Sequence, residues 1–181
     1  REPEALLQTI VSRCRVIELQ PLPTAVVVQQ LTERWGAEQA NAEELARISR
    51  GRIGWAVNAL KDPNFLAPRQ ERLERIINAL TGGLEERFVY AAEMASQFSK
   101  DREVVKVELE LWLSLLRDVL VIKEGARDVV TNVSVQSTLE TVASAVSSTD
   151  IVCGAKTVDQ TWEYLGQNAN PRLALEGLML K

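Results

Sequence analysis

The residue best suited to chemistry is Arg13, which stands between two short polar residues in the stretch T-I-V-S-R-C-R, residues 9–15. A run of helix-forming residues, 3–8, precedes this stretch, and a β-prone run, 16–19, follows Cys14. A guanidinium group is permanently charged and offers planar, bidentate donors, which suit a phosphoryl group that gains negative charge during transfer. Without further information, the ordinary interpretation is a solvated arginine at the end of a helix.

The residue types exclude several kinds of site. The chain contains no histidine, and its two cysteines, Cys14 and Cys153, are far apart in sequence. Nucleophilic sites of the Ser-His-Asp and Cys-His kinds are therefore excluded, and two isolated thiols make a poor zinc site. So few cysteines also argue against a disulfide framework, and we expect a cytoplasmic protein without a bound metal.

The overall charge argues against nucleic acid as a direct partner. The 181 residues carry 21 basic and 25 acidic side chains, a net charge of −4, whereas nucleic-acid binders usually present a basic face. Arg50 and Arg52 form a small local cluster, for which a solvated surface is the preferred interpretation and a phosphate contact the alternative. The most apolar run, residues 107–122, is interrupted by charged residues, so we expect a buried helix and no membrane contact.

The pattern of apolar residues and helix breakers predicts an all-α protein. Three short amphipathic helices should lie within residues 21–63, and five or six more within residues 64–181. We expect helix starts at Thr24 and at Asn170 followed by Pro171, and capping boxes at two further starts. The two predicted boxes pair Asn41 with Glu44 and Ser137 with Glu140.

The stretch L-L-Q-T-I-V-S-R-C-R-V-I-E-L-Q-P-L, residues 6–22, resembles the end of the nucleotide-binding domain in clamp-loader ATPases of the AAA+ superfamily. In that family a three-helix lid and a helical collar follow the serine-arginine-cysteine motif. The resemblance implies a remnant of the nucleotide-binding domain at residues 1–20, a lid at 21–63 and a collar at 64–181. Because the chain begins at Arg1 in the middle of an element, we expect it to be part of a longer protein.

One departure from the family pattern is informative. S-R-G-R-I-G-W-A, residues 49–56, lies where ATP-hydrolysing subunits resemble G-x-x-R-x-A, and here Gly54 replaces the arginine that touches the subunit's own nucleotide. Loss of this arginine with retention of Arg13 resembles the delta-prime type of the bacterial DNA polymerase III clamp loader. Residues 112–120, W-L-S-L-L-R-D-V-L, and 168–178, N-A-N-P-R-L-A-L-E-G-L, also look like that type.

The resemblance implies a role for each of these residues. Arg13 is expected to act in trans as an arginine finger on ATP held by a neighbouring subunit, with Ser12 and Cys14 shaping its turn. The chain itself is expected to bind no cofactor and to have no enzymatic activity. Arg172 and Glu176, four residues apart, either pair within the last helix or face an adjacent collar subunit.

The implied partners are the gamma or tau and delta subunits, which would be met through the collar, and the sliding clamp and primed DNA, which would be met through the whole complex. Two alternatives stay open at this point. One is an ATP-hydrolysing subunit of the gamma or tau type, against which Gly54 argues. The other is a helical adaptor or regulatory domain unrelated to replication, in which the serine-arginine-cysteine arrangement is a coincidence.

Overall fold

The computed structural model describes residues 9, 12–15, 17, 19–62 and 64–180. Within these ranges the regular structure consists of α-helices and two 3₁₀-helices, with no β-strand. The predicted all-α fold is therefore confirmed. Of the expected strand at 16–19, residues 16 and 18 lie outside the described residues, and so do residues 3–8 and 10 of the expected helix at 3–10.

The first three helices form a small unit of their own, here called the three-helix unit. They are α1 (Thr24–Trp35), α2 (Gln39–Ser49) and α3 (Ile53–Lys61), and each of them packs against the other two. Gly36 ends α1 in the left-handed conformation, at φ 67°. The fully buried side chains of the unit are small or aliphatic: Val27, Leu31, Ala42, Leu45, Ala46 and Ala56.

The larger group of helices, here called the six-helix unit, surrounds one long helix. Its members are α4 (Ala67–Thr81), α5 (Leu84–Lys100), α6 (Arg102–Lys123), α7 (Gln136–Ala145), α8 (Ser148–Gly166) and α9 (Pro171–Met179). Helix α6 packs against α4, α5, α7 and α8, while α9 packs against α5 and α8. Because α6 meets neighbours on most sides, apolar residues cover most of its surface, as the sequence predicts.

The segment between α6 and α7 is partly buried. Two 3₁₀-helices, Arg127–Val129 and Val133–Val135, flank residues 130–132. Val130 and Asn132 are nearly inaccessible to solvent. The sequence predicts a loop or short turn here, but the apolar Val130 and the polar partners of Asn132 draw the segment into the core.

The predicted helix start at Thr24 is confirmed, but Thr24 does not cap the helix, and the two predicted capping boxes are wrong. Thr24 is the first helical residue of α1 and Pro23 occupies its N-cap, while α2 begins two residues before Asn41 and forms no capping box. The box predicted at Ser137 and Glu140 is also absent, since α7 continues from a preceding 3₁₀-helix and begins at Gln136. At Asn41 and at Ser137, the helical backbone begins before the expected cap residue. The backbone amides that lack a helical partner therefore belong to other residues.

The division of the chain at residues 63 and 64 stays a prediction. The principal packed pairs of helices lie within one unit or the other. Phe65 and Leu66 pack against the core of the three-helix unit, and the ring of Phe65 meets that of Trp55 edge-on at a centroid distance of 5.4 Å. The apolar contacts of the first unit thus continue to the residue before α4.

Candidate functional site

The predicted finger motif lies on the surface. Ser12, Arg13 and Cys14 are all exposed, and they occupy a turn. The hydroxyl of Ser12 donates a hydrogen bond to the carbonyl oxygen of Thr9, three residues earlier, at 3.3 Å. The Cys14 thiol is free. An exposed guanidinium on a turn can reach a second molecule, and the finger role of Arg13 stays a prediction.

Gly54 is the second residue of α3 and lies on the exposed surface of the three-helix unit. A Cβ atom built at this position meets no atom within 4 Å. The structure around Gly54 therefore leaves room for the first atom of a side chain, and crowding at the backbone does not explain the glycine. Because glycine is a poor helix former, its presence in α3 costs stability of about 0.5–1 kcal/mol relative to alanine.

The other predicted candidates, Arg172 and Glu176, lie on α9. Asn170 caps this helix by accepting hydrogen bonds from the backbone amides of Arg172 and Leu173. The Arg172 Nε atom donates to Glu176 Oε1 at 2.7 Å, so the pair forms within the helix. Arg172 nevertheless keeps most of its surface exposed, and a further role at an interface stays a prediction.

The surface beside that pair contains a groove with two exposed apolar side chains. An open groove of about 400 Å³ runs between α8 and α9 and is lined by Tyr164, Leu173 and Gly177 among others. Leu173 is 67 % exposed and Tyr164 is 53 % exposed. The opposite side of α9 is buried in the unit through Leu175, Leu178 and Met179. Leu173 of α9 and Tyr164 of α8 thus present an exposed apolar strip along the groove, which is the kind of surface that a protein partner covers.

Beneath the surface, α6 carries a buried carboxylate that the sequence analysis does not predict. Glu108 is inaccessible to solvent, and its Oε1 atom accepts hydrogen bonds from Arg75 Nη2 at 2.5 Å and from the Tyr90 hydroxyl at 2.9 Å. The Trp112 Nε1 atom donates to the Tyr90 oxygen at 2.8 Å. Burial, followed by the negative charge of Glu108, raises the pKa of Tyr90 well above its ordinary value. This network joins α4, α5 and α6 and has a structural role.

A second buried carboxylate, Asp118, fixes the segment that follows α6. It accepts hydrogen bonds from the backbone amides of Thr131 and Asn132, from the Asn132 side chain and from Arg117. The side chain of Asn132 also donates to Ser114 Oγ at 3.1 Å. Two features of the sequence could have indicated this network. Asp118 is the one aspartate of the most apolar helix, and the polar pair Thr131 and Asn132 interrupts an apolar run that follows that helix.

The described part of the chain shows neither a metal site nor a membrane-spanning helix. No group of three or more acidic or cysteine side chains there comes together in a way that could hold a metal ion. Among the helices that the structure describes, none combines the length and the apolar character needed to cross a bilayer.

Comparison with known proteins agrees with the resemblance seen in the sequence. The family described as "DNA polymerase III, delta subunit, C terminal" matches residues 63–181. The chain is also similar to DNA polymerase III subunit delta' of Bacillus subtilis (strain 168), with 26 % identity over 129 residues. This match covers 70 % of the chain but only 38 % of the relative's length. No solved structure matches.

Proposed function

The chain belongs to the family of the C-terminal part of the DNA polymerase III delta subunit, and we propose that it is the lid and collar of a delta-prime-type clamp-loader subunit. In this proposal the subunit hydrolyses no ATP itself. It joins the loader ring through its collar and presents Arg13 to the ATP of a neighbouring subunit. The membership argues against the alternative of an adaptor unrelated to replication, since the family match covers the whole predicted collar.

The observation that carries the non-hydrolysing role is Gly54. It occupies the position at which ATP-hydrolysing relatives are expected to have a phosphate-binding arginine, and the space around it is open. A Cβ atom at this position would meet no neighbour within 4 Å, so crowding at the backbone does not account for the missing arginine. This favours the delta-prime type over the gamma or tau type.

Two observations support the exposed strip of α9 as the surface that meets the other subunits. The exposed Leu173 of α9 and the exposed Tyr164 of α8 line one groove, and this groove lies beside the pair formed by Arg172 and Glu176. Protein interfaces commonly have an apolar centre with a polar or charged rim. In the proposal, this surface meets the gamma or tau and delta subunits, and the sliding clamp and primed DNA are met through the assembled ring.

The assembly claim can be tested with two matched substitutions. Leu173→Glu places a charge at the centre of the proposed interface, and we expect it to abolish co-purification of the chain with the other loader subunits. Leu84→Glu introduces the same change at an exposed leucine at the start of α5 and should leave co-purification intact. Normal assembly of the Leu173→Glu variant, with its circular dichroism unchanged, would remove α9 from the interface.

A further inference from the structure

An open pocket of about 290 Å³ lies between the three-helix unit and the six-helix unit. Four arginines line it: Arg50 and Arg52 from the connection between α2 and α3, and Arg69 and Arg72 from the first turns of α4. Its lining includes one carboxylate, that of Glu110. Two segments that are remote in sequence therefore bring a concentration of positive charge to one place.

The hydrogen bonds that these arginines form go to neutral oxygen atoms. None of the four guanidinium groups forms an ion pair with a carboxylate in the part of the chain that the structure describes. Instead, Arg52 Nε donates to the carbonyl oxygen of Ser49 at 3.1 Å, and Arg72 Nη1 donates to that of Pro68 at 3.4 Å. These bonds hold the side chains in place without an ion pair, so an anion can still bind the guanidinium groups.

The side chain of Arg69 is held in place by a hydrogen bond to Asn132. Its Nη2 atom donates to Asn132 Oδ1, and the amide of Asn132 is in turn oriented by Asp118 and Ser114. Burial and then the charge of Arg50 lower the pKa of Arg69, whereas Asp118 and Glu44 act in the opposite direction. Burial and the neighbouring charge of Arg50 both disfavour the charged form of Arg69, and a bound anion would favour it.

Arg50 occupies a backbone position that ordinarily favours glycine. It is the C-cap of α2, with φ 49° and ψ 47°, and it is followed by Gly51 at φ 78°. A residue with a Cβ atom is strained in this left-handed region, and such strain is often found at functional positions. Glycine or asparagine would suit the turn better, so the fold alone gives no reason for an arginine here.

We propose that this pocket binds a phosphate group, either in the backbone of a nucleic acid or as a free phosphate anion. The planar donors of arginine match the geometry of phosphate oxygens. Four arginines line this pocket, and none of them is already ion-paired with a carboxylate in the described part of the chain. The rings of Trp55 and Phe65 form an apolar wall beside the arginines, and aromatic rings next to basic side chains are typical of sites for single-stranded nucleic acid. The net charge of −4, from which no nucleic-acid contact is expected, averages over the whole chain and conceals this local concentration.

The proposal does not rest on the proposed function and can be tested with the 181-residue chain. Isothermal titration calorimetry at low salt would measure binding of inorganic pyrophosphate and, separately, of a short single-stranded DNA oligonucleotide. We expect binding of at least one of them, weakened about tenfold by Arg50→Gly and by Arg72→Gln, because each removes a charge-assisted contact. Binding of pyrophosphate alone identifies a free anion as the ligand, whereas binding of the oligonucleotide identifies the phosphodiester backbone.

Two controls separate a site from general electrostatics and from unfolding. Arg47→Gln removes the same charge from the last turn of α2, three residues from Arg50 but outside the pocket lining, and should change either affinity by less than about twofold. Arg50→Gly replaces a strained residue with glycine, so its thermal midpoint should be equal to or above that of the parent chain. The proposal is overturned if neither ligand binds at low salt, or if Arg47→Gln weakens binding as much as Arg50→Gly does.

Discussion

The two helical units of the chain differ in what they bury. The three-helix unit buries aliphatic side chains, and its buried polar residue is Ser49, whose hydroxyl donates to the carbonyl of Ala46 three residues earlier. The six-helix unit buries two carboxylates, Glu108 and Asp118, and both have partners remote in sequence. Apolar packing tolerates small adjustments, whereas a buried carboxylate binds specific donors in one geometry. We therefore expect the six-helix unit to be more rigid than the three-helix unit. A rigid surface suits the stable assembly proposed for the collar.

The largest effect is expected at Asp118. Asp118→Ala leaves the backbone amides of Thr131 and Asn132 without their acceptor and removes one of the two acceptors of the Asn132 side chain, so we expect the free energy of unfolding to fall by about 3–5 kcal/mol. Urea denaturation followed by circular dichroism measures this loss. Asp128→Ala, at an exposed aspartate in the same connecting segment, should cost less than about 0.5 kcal/mol. Similar losses for both variants would show that the six-helix unit does not depend on its buried carboxylate.

A smaller effect, dependent on pH, is expected at Tyr90. Tyr90→Phe removes the donor to Glu108 and the acceptor for Trp112, which should cost about 1–3 kcal/mol at neutral pH. The pKa of Tyr90 is raised in the folded chain. The unfolded chain therefore releases this proton first, and stability that is fully present below pH 10 is lost as the pH rises towards the folded pKa.

Denaturation at a series of alkaline pH values tests this linkage. In the parent chain, Tyr90 should contribute a decline in stability of about 1.4 kcal/mol per pH unit above the unfolded pKa, and the Tyr90→Phe variant should lack that contribution. Tyr164→Phe, at an exposed tyrosine, should keep the decline. An identical pH dependence in all three proteins would contradict the assignment of Tyr90 to a buried network.

The smallest effects are expected in the three-helix unit, where the same substitution should have opposite signs at two glycines. Gly36→Ala places a side chain at φ 67° and should cost about 1 kcal/mol. Gly54→Ala lies in a helix with open space around it and should add about 0.5–1 kcal/mol. Thermal unfolding monitored by circular dichroism distinguishes the two. A loss at Gly54 would mean that contacts of the folded three-helix unit require glycine there.

The sequence predicts the elements better than their beginnings. Apolar spacing together with Gly36, Gly82 and Gly125 places the helices, because an amphipathic stripe and a helix breaker are both local signals. The predicted capping boxes fail because polar residues three apart are common, and only the preceding backbone decides whether the amides are free. The box that does form joins Ser147 and Asp150, at the start of α8.

The candidate functional residues also differ in how far the sequence predicts them. Arg13, Gly54 and the pair on α9 are found through motifs that lie together in sequence, and their roles remain predictions. Arg69 and Arg72 escape the sequence analysis because their significance depends on proximity to Arg50, which only the folded chain brings about. Local patterns identify helices and motifs, whereas a site assembled from two units requires the structure.

The claim that Arg13 acts on a neighbour's ATP is tested most directly by hydrolysis in a reconstituted loader. The longer protein that we expect to contain this chain would be assembled with the other subunits, the sliding clamp and primed DNA, as parent, as Arg13→Ala and as Arg15→Ala. Arg15 is an exposed arginine two residues away and serves as the matched control. We predict that Arg13→Ala assembles normally but loses most clamp-stimulated hydrolysis, while Arg15→Ala retains it. Unchanged hydrolysis in the Arg13→Ala assembly would contradict the finger assignment.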